Sequence, residues 1–185
     1  MFFNDEVSIY KVHADQRMHY LYKNAHFDEL IYIQSGKGIF ESNFGNINIK
    51  SGDYLIIPRG VIWKIQSEET INSLLIESKG GIEIPSKYRN KFGQLMEHSP
   101  FCERDIVLPE LQEPILEENI EIKIKLYNGI QNYILRYHPF DIVGWDGYYY
   151  PWKFNINDFE PLVGSIHQPP TVHQTFEANG FVVCS

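Results

Sequence analysis

Four groups of residues in this 185-residue chain have the types and spacings that chemistry requires. His26, Asp28 and Glu29 place an imidazole and two carboxylates within four positions, the ligand types of a metal site. The competing reading, a polar strand end beside a turn, is preferred. His98 and Cys102, within Glu97-His98-Ser99-Pro100-Phe101-Cys102-Glu103-Arg104-Asp105, offer a thiol and an imidazole for nucleophilic catalysis. Nothing nearby orients that pair, so a loop or interface role is favoured. Glu103, Arg104 and Asp105 read as an ion-pair network, which contributes little at a surface. His167, His173 and Glu177 supply two more imidazoles and a carboxylate at odd spacing, on one face of a continuous strand. Pro169 and Pro170 break that strand, and ligands six and four residues apart along an extended chain are too distant to converge on one ion. His173 and Glu177 are therefore expected to support a loop. The fourth group is the richest: His138-Pro139-Phe140-Asp141-Ile142-Val143-Gly144-Trp145-Asp146-Gly147, then Tyr148 to Asn155, then Ile166 to Glu177. It carries too many polar groups on prolyl loops to be core filler.

The elements that must hold these residues are mostly β. From Leu30 to Ile76, short apolar or alternating runs are separated by turn signals at Ser35-Gly36-Lys37-Gly38, Phe44-Gly45-Asn46 and Lys50-Ser51-Gly52-Asp53. Ile47 and Ile49 alternate with Asn46, Asn48 and Lys50, as on a strand with one wet face, whereas Tyr54 to Ile57 is continuous enough for burial on both faces. Ile120, Ile122, Ile124 and Leu126 alternate with Glu121, Lys123 and Lys125. Asn128-Gly129 then offers two left-handed positions for a tight hairpin. The expected division is a core over 1–84, an irregular connector over 85–119 and a hairpin with a long ordered loop over 120–185. Within the connector a short helix capped by Ser86 is expected near 86–97, weakened by Gly93.

Composition removes several function classes. Apolar residues make up 43%, charged residues 22% and aromatics 15%, a globular profile. The formal net charge is −8, and no Lys/Arg run tracks a phosphate backbone, so nucleic acid is disfavoured as a partner. No apolar stretch approaches the ~20 residues of a membrane-spanning helix. The first residues lack the features of a secretory signal, which makes a cytoplasmic location the expectation. Cys102 and Cys184 are too few for a disulfide framework or a thiolate zinc site.

The segment from Glu29 to Trp63 resembles a cupin core. Glu29 and Gly36 fit the end of the first cupin motif, and Gly52, Pro58 and Gly60 fit the second with the right spacing. The metal-binding histidines do not follow. Trp63 stands at the histidine position of the second motif, and the two histidine positions of the first fall among Tyr22, Lys23, Asn24 and Ala25, with His26 out of register. An indole donates one hydrogen bond and offers a metal no lone pair. The reading is an all-β, cupin-type sandwich or jelly roll with a degenerate, metal-free motif, leading into the start of a second cupin domain.

The His-Pro-Phe-Asp-Ile-Val-Gly-Trp-Asp-Gly run, the following Tyr-Pro-Trp-Lys-Phe-Asn, and the stretch from Tyr88 to Asp105 resemble the bacterial branch of the homogentisate 1,2-dioxygenases. The likeness runs through most of the chain. It implies an enzyme that opens the ring of homogentisate with O₂ to give maleylacetoacetate in tyrosine and phenylalanine catabolism. It also implies Fe(II) held by two histidines and a glutamate. In the family those ligands lie in the C-terminal cupin, so they are expected outside this chain, which would be inactive alone. His167 matches by position the family's histidine that hydrogen-bonds the substrate hydroxyl and exchanges protons, a task that suits an imidazole near neutrality. The resemblance further implies a homo-oligomer, a trimer or hexamer. Two other readings stay open: a non-catalytic cupin-derived binding or oligomerisation module, and a small-molecule-sensing cupin of a transcription regulator. The lack of a helix-turn-helix pattern argues against the second.

Overall fold

The computed structural model describes residues 1–161 and 173–185. Its strands, in chain order, are β1 (Phe2–Phe3), β2 (Val7–Ala14), β3 (Leu21–Asn24), β4 (Asp28–Ser35), β5 (Lys37–Ser42), β6 (Gly45–Lys50), β7 (Asp53–Ile57), β8 (Trp63–Gln66), β9 (Ile71–Ser78), β10 (Ile106–Val107), β11 (Ile120–Leu126), β12 (Gly129–Leu135), β13 (Trp152–Asn155), β14 (Gln174–Ala178) and β15 (Phe181–Cys184). Seven form one sheet in the order β1-β2-β9-β4-β7-β13-β10, and six form a facing sheet in the order β12-β11-β3-β8-β5-β6. The architecture is the expected all-β cupin-type sandwich. The strands of 120–135 and 152–155 are woven into the two sheets built by 1–84: β11 runs parallel to β3, and β13 pairs antiparallel with β7.

Burial follows strand position. On β6, Ile47 and Ile49 face inward while Asn48 and Lys50 face solvent, the alternation of a strand wet on one side. All five residues of β7 are buried, because apolar clusters cover its sheet on both faces. Between the sheets lie Ile31, Ile33, Phe40, Ile47, Leu55 and Trp63. Behind the seven-stranded sheet, Leu30, Tyr54, Ile56, Phe101, Phe154 and Phe176 form a second core. The connector and the β14–β15 hairpin lie over this second core, and Glu83 bridges Glu177 across them. Gly36 of the first motif has φ +94°, and a Cβ there would meet the Thr70 carbonyl oxygen at 2.6 Å, so the turn accepts only glycine.

Two local expectations are corrected. Residues 86–97 contain one 3₁₀ turn, Ser86–Tyr88, with no side-chain cap. The Ser86 N–H is taken by Glu177 Oε1 at 2.7 Å, Tyr88 is buried with its hydroxyl donating to the Gln174 carbonyl, and an Arg89–Leu95 bridge folds the chain back. The β11–β12 hairpin forms in continuous register, but Leu126 pairs with Gly129, so its two-residue loop is Tyr127–Asn128. Only Gly129 there has positive φ. Tyr127 is held by stacking on His26, with ring centroids 3.9 Å apart.

β12 is the outer strand of its sheet among the described residues. None of its residues is charged, and Ile130, Tyr133 and Ile134 are exposed.

Candidate functional site

The centre of the barrel is built from β3, β4, β8, β9 and β11. Tyr22 and Trp63 sit opposite each other across β3 and β8, rings edge to face at 5.1 Å. Both aim polar atoms at Glu29 on β4. The Tyr22 hydroxyl donates to Glu29 Oε1 at 3.1 Å, Asn24 Nδ2 donates to the same oxygen at 3.2 Å, and Trp63 Nε1 donates to Oε2 at 3.2 Å. Asn24 Nδ2 also reaches Glu77 Oε1 on β9 at 3.0 Å, while its own oxygen accepts from the N–H groups of His26 and Phe27. Lys125 on β11 donates to Glu77 Oε1 and lies over the Tyr10 ring. Glu29 and Glu77 are buried, and the half-buried Lys125 links the network to solvent.

Burial, opposed by the three hydrogen bonds and reinforced by the charge of Glu77, pushes the Glu29 carboxyl up to about 7. The Tyr22 hydroxyl is raised well above its ordinary range, first by burial and then by the charges of Glu29 and Glu77. Burial alone would lower Lys125, but the hydrogen bond and charge of Glu77 outweigh it and leave the ammonium raised. A protonated Glu29 needs an acceptor. Of its three partners only the Tyr22 phenol oxygen can accept, because the indole and amide N–H groups are donors.

The two carboxylates face one ammonium and three uncharged donors. Among the described residues no imidazole reaches Glu29, and the Trp63 N–H points where a cation would have to stand. These residues do not fit an iron centre. Among the described residues no group of three His, Cys, Asp or Glu side chains is placed to hold a metal ion.

The other candidates separate. His26 stacks on Tyr127 and Asp28 is held by Arg59 at 2.8 Å, so neither joins Glu29. Asp105 accepts the Cys102 N–H at 2.8 Å and Glu103 accepts the Leu95 N–H at 3.1 Å; both carboxylates hold loop backbone. His138 is buried, with Nδ1 accepting the Phe140 N–H at 3.1 Å, and burial lowers its pKa. It is a neutral packing histidine. Lys153 and Asn155 reach the fully buried Asp53 at 2.9 and 2.7 Å, so Trp-Lys-Phe-Asn fastens β13 to β7. Trp145 packs on Phe44 and Tyr150. His173 is exposed, and Glu177 holds the connector through Ser86. His167 lies outside the described residues.

Sequence reasoning found Glu29 and Trp63 but missed Glu77 and Lys125. The available signal was an acidic residue at the end of the apolar run Leu74-Leu75-Ile76; Lys125 was indistinguishable from the solvated lysines of an alternating strand.

Fold and site together define a cupin-type sandwich in which three hydrogen-bond donors hold the motif's glutamate, Glu29. Residues 2–156 match the family model described as homogentisate 1,2-dioxygenase N-terminal, and the chain belongs to that family. A Saccharolobus solfataricus protein named "Putative dioxygenase" is 45% identical over 188 residues, covering 100% of this chain and 48% of the relative. A homogentisate 1,2-dioxygenase of Rhodopseudomonas palustris is 26% identical over 155 residues, covering 81% of this chain and 34% of that enzyme. The chain thus spans half or less of these relatives' length. A cupin-2 domain protein from Shewanella frigidimarina overlays 42% of this chain and 74% of its own, at 21% identity and TM-score 0.38. No helix among the described residues is long and apolar enough to cross a membrane.

Proposed function

We propose that this chain is the N-terminal portion of an Fe(II)-dependent, ring-cleaving dioxygenase that converts homogentisate and O₂ to maleylacetoacetate. The observation that carries the reading is the family match over residues 2–156, joined to a barrel centre whose donors leave no place for a cation. Iron, which when bound supplies Lewis acidity and open positions for substrate and oxygen, belongs to residues outside this chain. This chain contributes the core over 1–84, the connector over 85–119 and the segment 120–185, which carries the β-hairpin, the active-site loop and the start of the second cupin. His167 is the residue that approaches the substrate: it hydrogen-bonds a ring hydroxyl and exchanges its proton. The proposal includes a cytoplasmic location and a homo-oligomeric assembly, a trimer or hexamer.

A non-catalytic binding or oligomerisation module is the second reading, favoured by the closed network at Glu29 and the uncharged edge β12. Iron content and homogentisate-dependent oxygen uptake separate the two. They are measured on the 185-residue chain and on the chain completed with the remaining half of the Saccharolobus relative. The completed protein is expected to bind iron and turn over; the 185-residue chain is expected to do neither. In the completed protein His167→Ala should lower kcat by roughly 10²- to 10⁴-fold with iron retained. Stoichiometric iron on the 185-residue chain would overturn the ligand assignment.

A further inference from the structure

The end of the barrel nearest Trp63 holds a cavity of about 300 Å³. Strand alternation makes its walls. Ile31 and Ile33 on β4, Trp63 and Ile65 on β8, and Ile71, Ser73 and Leu75 on β9 fall at every second position and so face the same interior. Ile33, Ile71 and Trp63 are buried, and Met18, in the β2–β3 connection, borders the mouth. The indole that stands in place of a ligating imidazole is therefore wall and anchor at once: its N–H is tied to Glu29 while the residue lines the cavity. Ser73 is the one polar side chain among these strand residues. Among the described residues the rim carries Asp15, Glu68 and Glu69 against one cation, Arg17, so the entrance repels anions. A neighbouring cleft of about 1050 Å³ is lined largely by exposed side chains such as Lys37, Asn48 and Lys50 and offers no such enclosure.

We propose that this barrel mouth is a binding site for a neutral, single-ring aromatic molecule carrying at most one hydroxyl group. Apolar cavities of about 150 Å³ with aliphatic and aromatic walls accept benzene, so twice that volume accommodates a substituted ring. The walls supply aliphatic contact and one indole, Ser73 supplies a hydroxyl partner, and the acidic rim excludes carboxylates such as arylacetates. The site is separate from ring cleavage and does not depend on the oxygenase reading.

The test is titration of the 185-residue chain, carrying ¹³C-labelled Ile methyl groups, with p-cresol, toluene and phenylacetate. p-Cresol and toluene should give saturable shifts at Ile31, Ile33, Ile65 and Ile71, with Ile130 and Ile134 unmoved; phenylacetate should give none. Ser73→Ala should weaken p-cresol by roughly three- to tenfold and leave toluene unchanged. Leu75→Trp, which fills the cavity, should abolish binding. Absence of saturation up to the solubility of both probes, shifts centred on other methyl groups, equal binding of phenylacetate, or full p-cresol binding by a folded Leu75→Trp protein would each overturn the proposal. If Leu75→Trp does not fold, the methyl map of the unaltered chain decides.

Discussion

Replacing Glu29 by glutamine isolates the energetics of the barrel centre. The carboxyl is raised from its ordinary value of 4.5 to about 7 because burial disfavours its charge. A group whose folded pKa lies above its unfolded value stabilises fully below the unfolded pKa, and that stabilisation disappears as pH rises through the folded pKa. Glu29 therefore stabilises the protein at about pH 4.5, and this contribution is gone above about pH 7. At 1.36 kcal/mol per pH unit the whole change is about 3 kcal/mol, of which about 2 to 3 kcal/mol falls between pH 5 and pH 8. Glutamine removes the titration at nearly the same volume but carries one acceptor oxygen. It can satisfy Tyr22 and Asn24, or Trp63, and the other side then faces an amide donor. That fixed loss is about 1 to 3 kcal/mol at every pH. Urea unfolding at a series of pH values reads the difference between the two proteins. Glu29→Gln should be clearly less stable at pH 5, and the gap should close by about 2 to 3 kcal/mol toward pH 8. A gap constant with pH would show that Glu29 does not titrate in this window and would refute the account.

Trp63→Ala removes a buried indole and the Glu29 donor together and should cost about 3 to 5 kcal/mol in denaturant unfolding. Trp63→His should bind no iron by metal analysis, because Tyr22 and Asn24 still face Glu29 as donors. Asp53→Ala leaves the mostly buried ammonium of Lys153 without its carboxylate and should destabilise by about 3 to 5 kcal/mol, with hydrogen exchange accelerating first in β13. Ile134→Lys places a charge on the uncharged outer strand and should reduce self-association in sedimentation equilibrium without lowering the unfolding midpoint.

The sheet-forming runs and the motif's lost histidine positions were legible because both are local. Alternation at Ile47 and Ile49 and the spacing of Gly52, Pro58, Gly60 and Trp63 need no tertiary knowledge. The network that holds Glu29 was not legible. Asn24, Glu29, Glu77 and Lys125 come from four strands spread over a hundred positions, and no period links them. The same limit hid the meaning of Lys153 and Asn155, which read as part of a chemical signature and turned out to tie one strand through Asp53. The expected helix near 86–97 gives way because Asn90 Oδ1 takes the N–H groups of Phe92 and Gln94, Gly93 turns the chain back at φ +86°, and Tyr88 is buried with its hydroxyl on the Gln174 carbonyl.

The parallel pairing of β11 with β3 also sets a timetable. Leu21 meets Ile122, about a hundred residues later in the chain, and Tyr54 of β7 waits equally long for Phe154. Ribosomes add about 5 to 20 residues per second, so both strands leave the exit tunnel several seconds before their neighbours exist. During that interval the first 84 residues present two edges that later strands will cover, β7 and β3, the second bordering Glu29, whose donors Tyr22 and Asn24 are already in place. The hairpin 120–135 closes the first edge and delivers Lys125 to Glu77 in the same event. Synthesis of this chain therefore passes through an aggregation-prone stage that ends only when β11 and then β13 have arrived, and slowing translation between residues 84 and 120 should lower the yield of folded protein.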